Sequence, residues 1–347
     1  MSRAALLAAA AAPQVFDPTP PPDTLGACLA PYESLIEGCQ LESDLHDRLR
    51  AYARIALVGP RGCGKTSVAR YALDAEDVAM ILINVVTEKQ KDISTVRGFL
   101  RILVSQLVNR AETAGKITGS QRQKLLAAAQ PTLPLDRQLI SYRAALSGGH
   151  WLLRGGIARD VTKTIGGGRS YNTTQALREA ATEALEVVGS HGLVPVLVAD
   201  DTDRLGRAAG KTAGKVLGGF FGEVLRELAD NLECGLLIAV HDDYLTSDDF
   251  DYRDLTHGVL ENIRMPKLTH AEQLAAIISR RAEFLTPPCA APDLVATDAL
   301  HTLISLHCNE HAGSVRRTLG VLAPALKLAV DDDATEHVCA RHVTAVD

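Results

Sequence analysis

Apolar residues along the 347-residue chain fall into two rhythms. Short runs with little polar interruption occur at 54–58 (RIALV), 79–86 (AMILINVV), 194–199 (VPVLVA) and 235–240 (GLLIAV). Such runs predict strands buried on both faces, and 262–265 predicts a fifth. Between them the spacing changes to three and four. Leu35, Leu41, Leu45 and Leu49 lie on one side of a helical lead-in at 33–52, and Phe99, Leu100, Leu103 and Leu107 on one side of 96–109. Helices are also expected at 67–73, 121–129, 138–146, 173–188 and 218–231. Beyond 265 every periodic segment is helical: 269–284, 293–309, 314–328 and 334–345. Strands alternating with helices predict a parallel sheet, and the run of helices after it predicts a separate all-α unit.

Composition narrows the class. Apolar residues make up 46% and charged residues 22%, enough for a sizeable core and against global disorder. A net charge of −6 argues against a generally basic nucleic-acid coat protein and leaves room for a local basic face. The seven cysteines show no paired spacing, so reduced thiols and a cytoplasmic location are expected. No apolar run approaches the roughly 20 residues of a membrane span. The opening MSRAALLAAAAAPQVF has the outline of a weak signal peptide. Alanine is only weakly hydrophobic, however, and with the PTPPP that follows, 1–30 reads as a disordered Ala/Pro-rich tail.

Two strand ends carry chemistry. Directly after the first strand, Gly59, Pro60, Arg61, Gly62, Cys63, Gly64, Lys65, Thr66 and Ser67 fit the pattern G-x-x-x-x-G-K-[ST] at every fixed position, with a helix expected next. Glycines let main-chain N–H groups curl around an anion, and a helix N-terminus adds partial positive charge. Lys65 is placed for the β- and γ-phosphates of ATP, and the Thr66 hydroxyl for Mg²⁺. The third strand ends in Asp200-Asp201, which puts a carboxylate for Mg²⁺ at the carboxyl edge of the sheet. Asp201 is then the candidate to orient or deprotonate an attacking water. The fold class follows: α/β, a P-loop NTPase parallel sheet of about five strands flanked by helices, then an all-α lid domain.

The loop and the strand ending DDTDRL resemble the Walker A and Walker B elements of AAA+ ATPases. The segment 263–284 (IRMPKLTHAEQLAAIISRRAEF) is similar to the start of the helical lid in the clade of origin-recognition initiators and their STAND relatives. The segment 309–326 (NEHAGSVRRTLGVLAPAL) resembles the lid helix bearing a sensor 2 arginine, with Gly313 at the glycine and Arg316 at the arginine of G-x-x-R. The resemblance implies an ATPase with ATP and Mg²⁺ as cofactors, a domain at 31–265 with a helical, basic insertion near 95–175, and a lid at 266–347. It also implies a homo-oligomer. Departures are visible. Asp201 stands where the family usually has Glu, one methylene longer, which points to slow, switch-like hydrolysis. The sensor 1 position falls on His241 rather than Asn, Thr or Ser. No arginine finger declares itself, and Arg226 and Arg253 are candidates by location only.

Other clusters carry less. His301, His307, Cys308 and His311 crowd one helix end, with His307 and His311 four apart, but no second pair supports a metal site. Arg154, Arg159, Lys163 and Arg169 among glycines, with Arg97, Arg101, Arg122 and Lys124 earlier, suit either a phosphate-facing surface or a solvated loop. Trp151 and Tyr171 are the aromatic residues available there for base stacking. The resemblance implies a winged helix or sensor repeats after the lid, and neither is seen. Output is therefore expected through self-assembly, the insertion or a partner protein. The expected function is an ATPase switch on DNA, of transposition-regulator or helicase-loader type. The alternative is a protein-directed regulatory ATPase of a defence or signalling system, and a simple phosphotransferase kinase is disfavoured by the acidic strand end and the G-x-x-R helix.

Overall fold

The computed structural model describes residues 3–11, 16, 30–85, 90–113, 117–129, 173–190, 192–247, 251–285, 288–332 and 335–346. Helices α1 (Arg3–Ala10) and α2 (Leu41–Arg50) precede strand β1 (Arg54–Val58), and α3 (Lys65–Leu73) leads into β2 (Val78–Asn84). Helices α4 (Val96–Thr113), α5 (Gly119–Ala129) and α6 (Thr174–Gly189) come before β3 (Val194–Asp200). A helical run from 203 to 231 reaches β4 (Gly235–Val240), and β5 (Glu261–Arg264) closes the sheet. Helices α7 (Ala271–Ala282), α8 (Thr297–Asn309), α9 (Val315–Asp331) and α10 (Ala340–Thr344) form the C-terminal region.

The five strands form one parallel sheet in the order β2-β3-β4-β1-β5. Period-two alternation sorts its side chains. Ile55, Leu57, Val196 and Val198 face one apolar cluster, while Ala56, Val58, Leu197 and Ala199 face the other. Both faces are covered, as the unbroken apolar runs require. The first cluster continues without a break into the C-terminal helices through Met265, Leu274, Ile278, Leu322 and Leu326. The helical region therefore shares a core with the underside of the sheet.

Three expectations shift. Within the stretch read as a tail, Arg3–Ala10 is helical, with Leu7 (1% exposed), Ala10, Ala11 and Phe16 buried against α9 and its surroundings. Small alanines let that helix lie close, and α9 supplies the apolar surface that the segment lacks alone. The helix expected at 218–231 is interrupted by a π turn, Gly219–Val224. The wider turn turns both Phe220 and Phe221 fully inward, and Gly219 is needed because a Cβ there would lie 2.3 Å from the Ser94 carbonyl oxygen. The helix at 334–345 shortens to Ala340–Thr344, because Val338 pairs as an isolated parallel bridge with Val295.

Part of the expected insertion belongs to the core. Phe99, Leu103, Val104 and Leu107 of α4 are buried in the second cluster, and α4 packs on β2 and α6. The 138–146 helix, the glycine-rich basic stretch with Arg154, Arg159, Lys163 and Arg169, and Trp151 and Tyr171 lie outside the described residues. No described helix is long and apolar enough to cross a membrane.

Candidate functional site

The loop is shaped by its glycines. Gly62 and Gly64 adopt φ of +79° and +103°, backbone that other residues adopt only at a cost. Gly59 anchors the start by donating its N–H to the Val240 carbonyl at 3.1 Å, which ties the loop to β4. Gly64 then caps α3, whose first-turn N–H groups face the cleft. The Lys65 ammonium donates to the carbonyls of Gly59 (2.7 Å) and Pro60 (2.9 Å), so its charge sits within the ring of the loop.

The acidic strand end meets this loop. Strand β4 separates β3 from β1, placing their ends about 10 Å apart by strand spacing alone. The first turn of α3 closes that gap, and the Thr66 hydroxyl donates to Asp200 Oδ2 at 2.8 Å. Asp200 is buried (6% exposed), and burial pushes its carboxyl pKa up, with the Thr66 hydrogen bond opposing. A buried carboxylate beside a hydroxyl is a hard oxygen donor pair of the kind Mg²⁺ takes, and a cation would offset the burial cost. The chemistry of this pair is of a kind that fits Mg²⁺.

Asp201 has left-handed backbone, φ +57°, which is uncommon outside glycine. Its side chain meets Asn84, whose Nδ2 donates to Asp201 Oδ2 at 3.1 Å. Asn84 was not singled out from the sequence. It is the last residue of β2 and pairs in register with Asp200, so a polar residue ending the run AMILIN was the signal.

The C-terminal helices complete the cleft. Its lining includes Lys65, Thr66, Asp200, Asp201, Arg316 and, unexpectedly, Arg281 of α7. Ser314 caps α9 by accepting from the Arg317 N–H, and Gly313 (φ +76°) turns the chain into that cap. The Arg316 N–H donates to the Gly62 carbonyl at 3.1 Å, so α9 starts directly on the loop. Gly62 has no room for a side chain: a Cβ would lie 2.6 Å from Ser314 Oγ and 2.8 Å from Arg316 Cβ. Gly313 and Arg316 therefore both meet the loop.

The remaining loop residues divide between two sides. Arg61 and Ser67 line the cleft, and Arg61 Nε lies 3.5 Å from Asp203 Oδ2. Pro60 and Cys63 face a second cavity of about 470 Å³, shared with Tyr32, Met265, His307 and Gly313. The Tyr32 hydroxyl donates to the Cys63 carbonyl at 2.6 Å. Burial pushes the Cys63 thiol pKa up, which keeps it protonated and unreactive.

His241 stands beside the loop rather than among the cleft's lining residues. Its Nε2 lies 3.2 Å from the Arg61 main-chain nitrogen, and its Nδ1 lies 3.1 Å from the Asp243 main-chain nitrogen and 3.1 Å from Asp242 Oδ1. Arg226 and Arg253 are exposed and outside the cleft lining. His307 and His311 are buried rather than surface residues: each Nδ1 lies 3.0 Å from the single hydroxyl of Thr318. The two imidazoles and Thr318 form a hydrogen-bonded set inside the helical region, while His301 and Cys308 are exposed residues.

No protein-family model and no curated protein sequence matches the chain. Among solved structures it is similar to the ORC2 protein of Aeropyrum pernix, in its ADP form (TM-score 0.44) and in ADPNP-ADP complexes (TM-score 0.43). Identity is 15% in both, over 96% of this chain and 71% of that one.

Proposed function

We propose that this chain is an ATP-binding and ATP-hydrolysing ATPase of the AAA+ type, working as a nucleotide-dependent molecular switch with DNA as its target. One observation carries the ATPase reading: Lys65, the Thr66–Asp200 pair, Asp201 and Arg316 converge on one cleft between sheet and helices. Lys65 and the loop N–H groups hold the β- and γ-phosphates. Thr66 and Asp200 hold Mg²⁺, which when bound neutralises charge on the phosphate oxygens. Asp201, aimed by Asn84, orients the attacking water and accepts its proton.

Arg316 reads the terminal phosphate from the lid. His241 acts indirectly, by fixing the Arg61 main chain of the loop. The second cavity, with the Tyr32 ring and the apolar Met265 wall, suits the base. Because α9 rests on Gly62, a change in phosphate occupancy changes what the lid rests on, and that coupling makes a switch. The lid here is 266–347, and assembly into a cytoplasmic homo-oligomer completes the picture. DNA as target rests on Arg154, Arg159, Lys163 and Arg169.

Phosphate release from ATP and ATP-dependent retention of DNA on a filter test the reading together, with Lys65→Ala as control. Both signals are expected in the wild type and neither in the variant. Phosphate release without DNA retention at low salt would move the target to a protein partner. No phosphate release would remove the ATPase assignment.

A further inference from the structure

Helix α7 carries an oddity. Its core-facing stripe is Leu274, Ile277 and Ile278, all buried, and a helix keeps that direction seven residues on. Seven residues after Leu274 stands Arg281, a guanidinium where the stripe calls for an apolar side chain. Its neighbour Arg280 follows the ordinary pattern, exposed and paired with Glu283 at 2.5 Å on the same helix. The two adjacent arginines thus have different surroundings. Arg281 is half-buried and lines the cleft that also holds Lys65, Asp200, Asp201 and Arg316.

The cleft holds several charges. Arg61 is engaged by Asp203 at 3.5 Å, and Asp200 faces Thr66 at the metal position. Lys65 lies inside the loop on the Gly59 and Pro60 carbonyls. The cations brought by the helical region are Arg281 and Arg316, from two different helices of the lid. A guanidinium gives a planar fork of donors that matches phosphate oxygens, and it stays charged when partly buried.

We infer that Arg281 is a second phosphate-contacting arginine of the lid, forming with Arg316 a two-helix clamp on the terminal phosphate. The inference rests on the nucleotide reading of the cleft. It adds a residue that the G-x-x-R pattern does not contain. Two arginines on α7 and α9 fix the lid at two points, so the clamp holds the lid's angle and not only its distance. ADP lacks the group both arginines grip. The clamp therefore discriminates triphosphate from diphosphate.

The test is a titration of the full chain with Mg²⁺ and either a non-hydrolysable ATP analogue or ADP, comparing wild type, Arg281→Ala, Arg281→Lys and Arg280→Ala. Arg281→Ala is expected to weaken the analogue about tenfold or more while leaving ADP within about twofold, the scale of one lost charge-assisted hydrogen bond pair. Arg281→Lys recovers only part of the loss, and Arg280→Ala changes neither ligand. Unchanged ADP affinity also shows that the variant is folded. Equal weakening of both ligands, or no change in either, would overturn the clamp while leaving the nucleotide site standing. A wild type that binds neither nucleotide would overturn the site itself and the clamp with it.

Discussion

The main-chain N–H of Arg316 donates to the carbonyl of Gly62 at 3.1 Å, so the first turn of α9 stands on the glycine-rich loop. Gly62→Ala challenges that contact twice. The residue has φ +79°, which costs an L-residue about 1–2 kcal/mol, and the new methyl would press on Ser314 and Arg316. The backbone and the lid cannot both stay in place. Nucleotide affinity is expected to fall about tenfold or more, with the melting temperature dropping by a few degrees. Titration and calorimetry read the two effects separately. An unchanged affinity would show that the contact does not matter.

Asp200 offers the opposite sign for stability and function. Burial raises its pKa, so the folded protein binds this proton more tightly than the unfolded chain. Its contribution to stability is therefore present at low pH and is lost as pH rises towards neutrality. Asp200→Asn removes the ionisation and keeps an acceptor for the Thr66 hydroxyl. Without nucleotide or Mg²⁺, that variant is expected to melt at a higher temperature than wild type at pH 7.5. It should also lose the Mg²⁺ dependence of nucleotide binding. Thermal scans with and without Mg²⁺ give both answers.

Asn84 and Asp201 can be separated from binding. Asn84→Ala removes the donor that aims the Asp201 carboxylate, 3.1 Å away, without touching loop or lid. We expect kcat to fall about tenfold with KM unchanged, the pattern of a positioning residue acting through another group. A proportional rise in KM would mean that Asn84 contributes to nucleotide binding instead.

His307 is expected to make the C-terminal helical region acid-sensitive. Burial lowers its pKa from the ordinary 6.5, the neighbouring His311 lowers it further, and the Thr318 hydroxyl holds both rings. Below about pH 6.5 the unfolded chain takes up a proton that the folded lid refuses, so stability falls as pH falls. Melting temperatures measured from pH 7.5 to 5.5 should drop more steeply for wild type than for His307→Gln. Parallel curves would contradict this.

Leu7 tests the N-terminal helix. It is 1% exposed in the cluster shared with α9, so Leu7→Ala should cost about 2–3 kcal/mol on unfolding in urea. A loss below about 0.5 kcal/mol would place the helix off the lid.

The strands and the chemistry at their ends were legible because both are local. An unbroken run such as GLLIAV has only one comfortable place, the middle of a covered sheet, and G-x-x-x-x-G-K-[ST] needs no distant partner to be recognised. What stayed hidden depends on approach between distant segments. Asn84 acquires its role from register with Asp200, 116 positions later in the chain. Arg281 could be noticed only as a charge out of place on an apolar stripe. The alanines of α1 gave no sign of a partner, because the surface that fixes them lies on α9. His307 and His311 read as polar helix residues until Thr318 brought them inside.

On this reading, the loop, the acidic strand end and the C-terminal helices form one Mg²⁺-nucleotide site. Calorimetric titration of the full chain with ATP analogue and Mg²⁺ tests it most directly. One nucleotide is expected per chain, with a Kd of about 100 μM or tighter, roughly −5.5 kcal/mol or better. Loss of that binding is expected in Lys65→Ala, which removes the ammonium on the Gly59 and Pro60 carbonyls. No saturable binding to the wild type at millimolar nucleotide, or equal binding by Lys65→Ala, would contradict it.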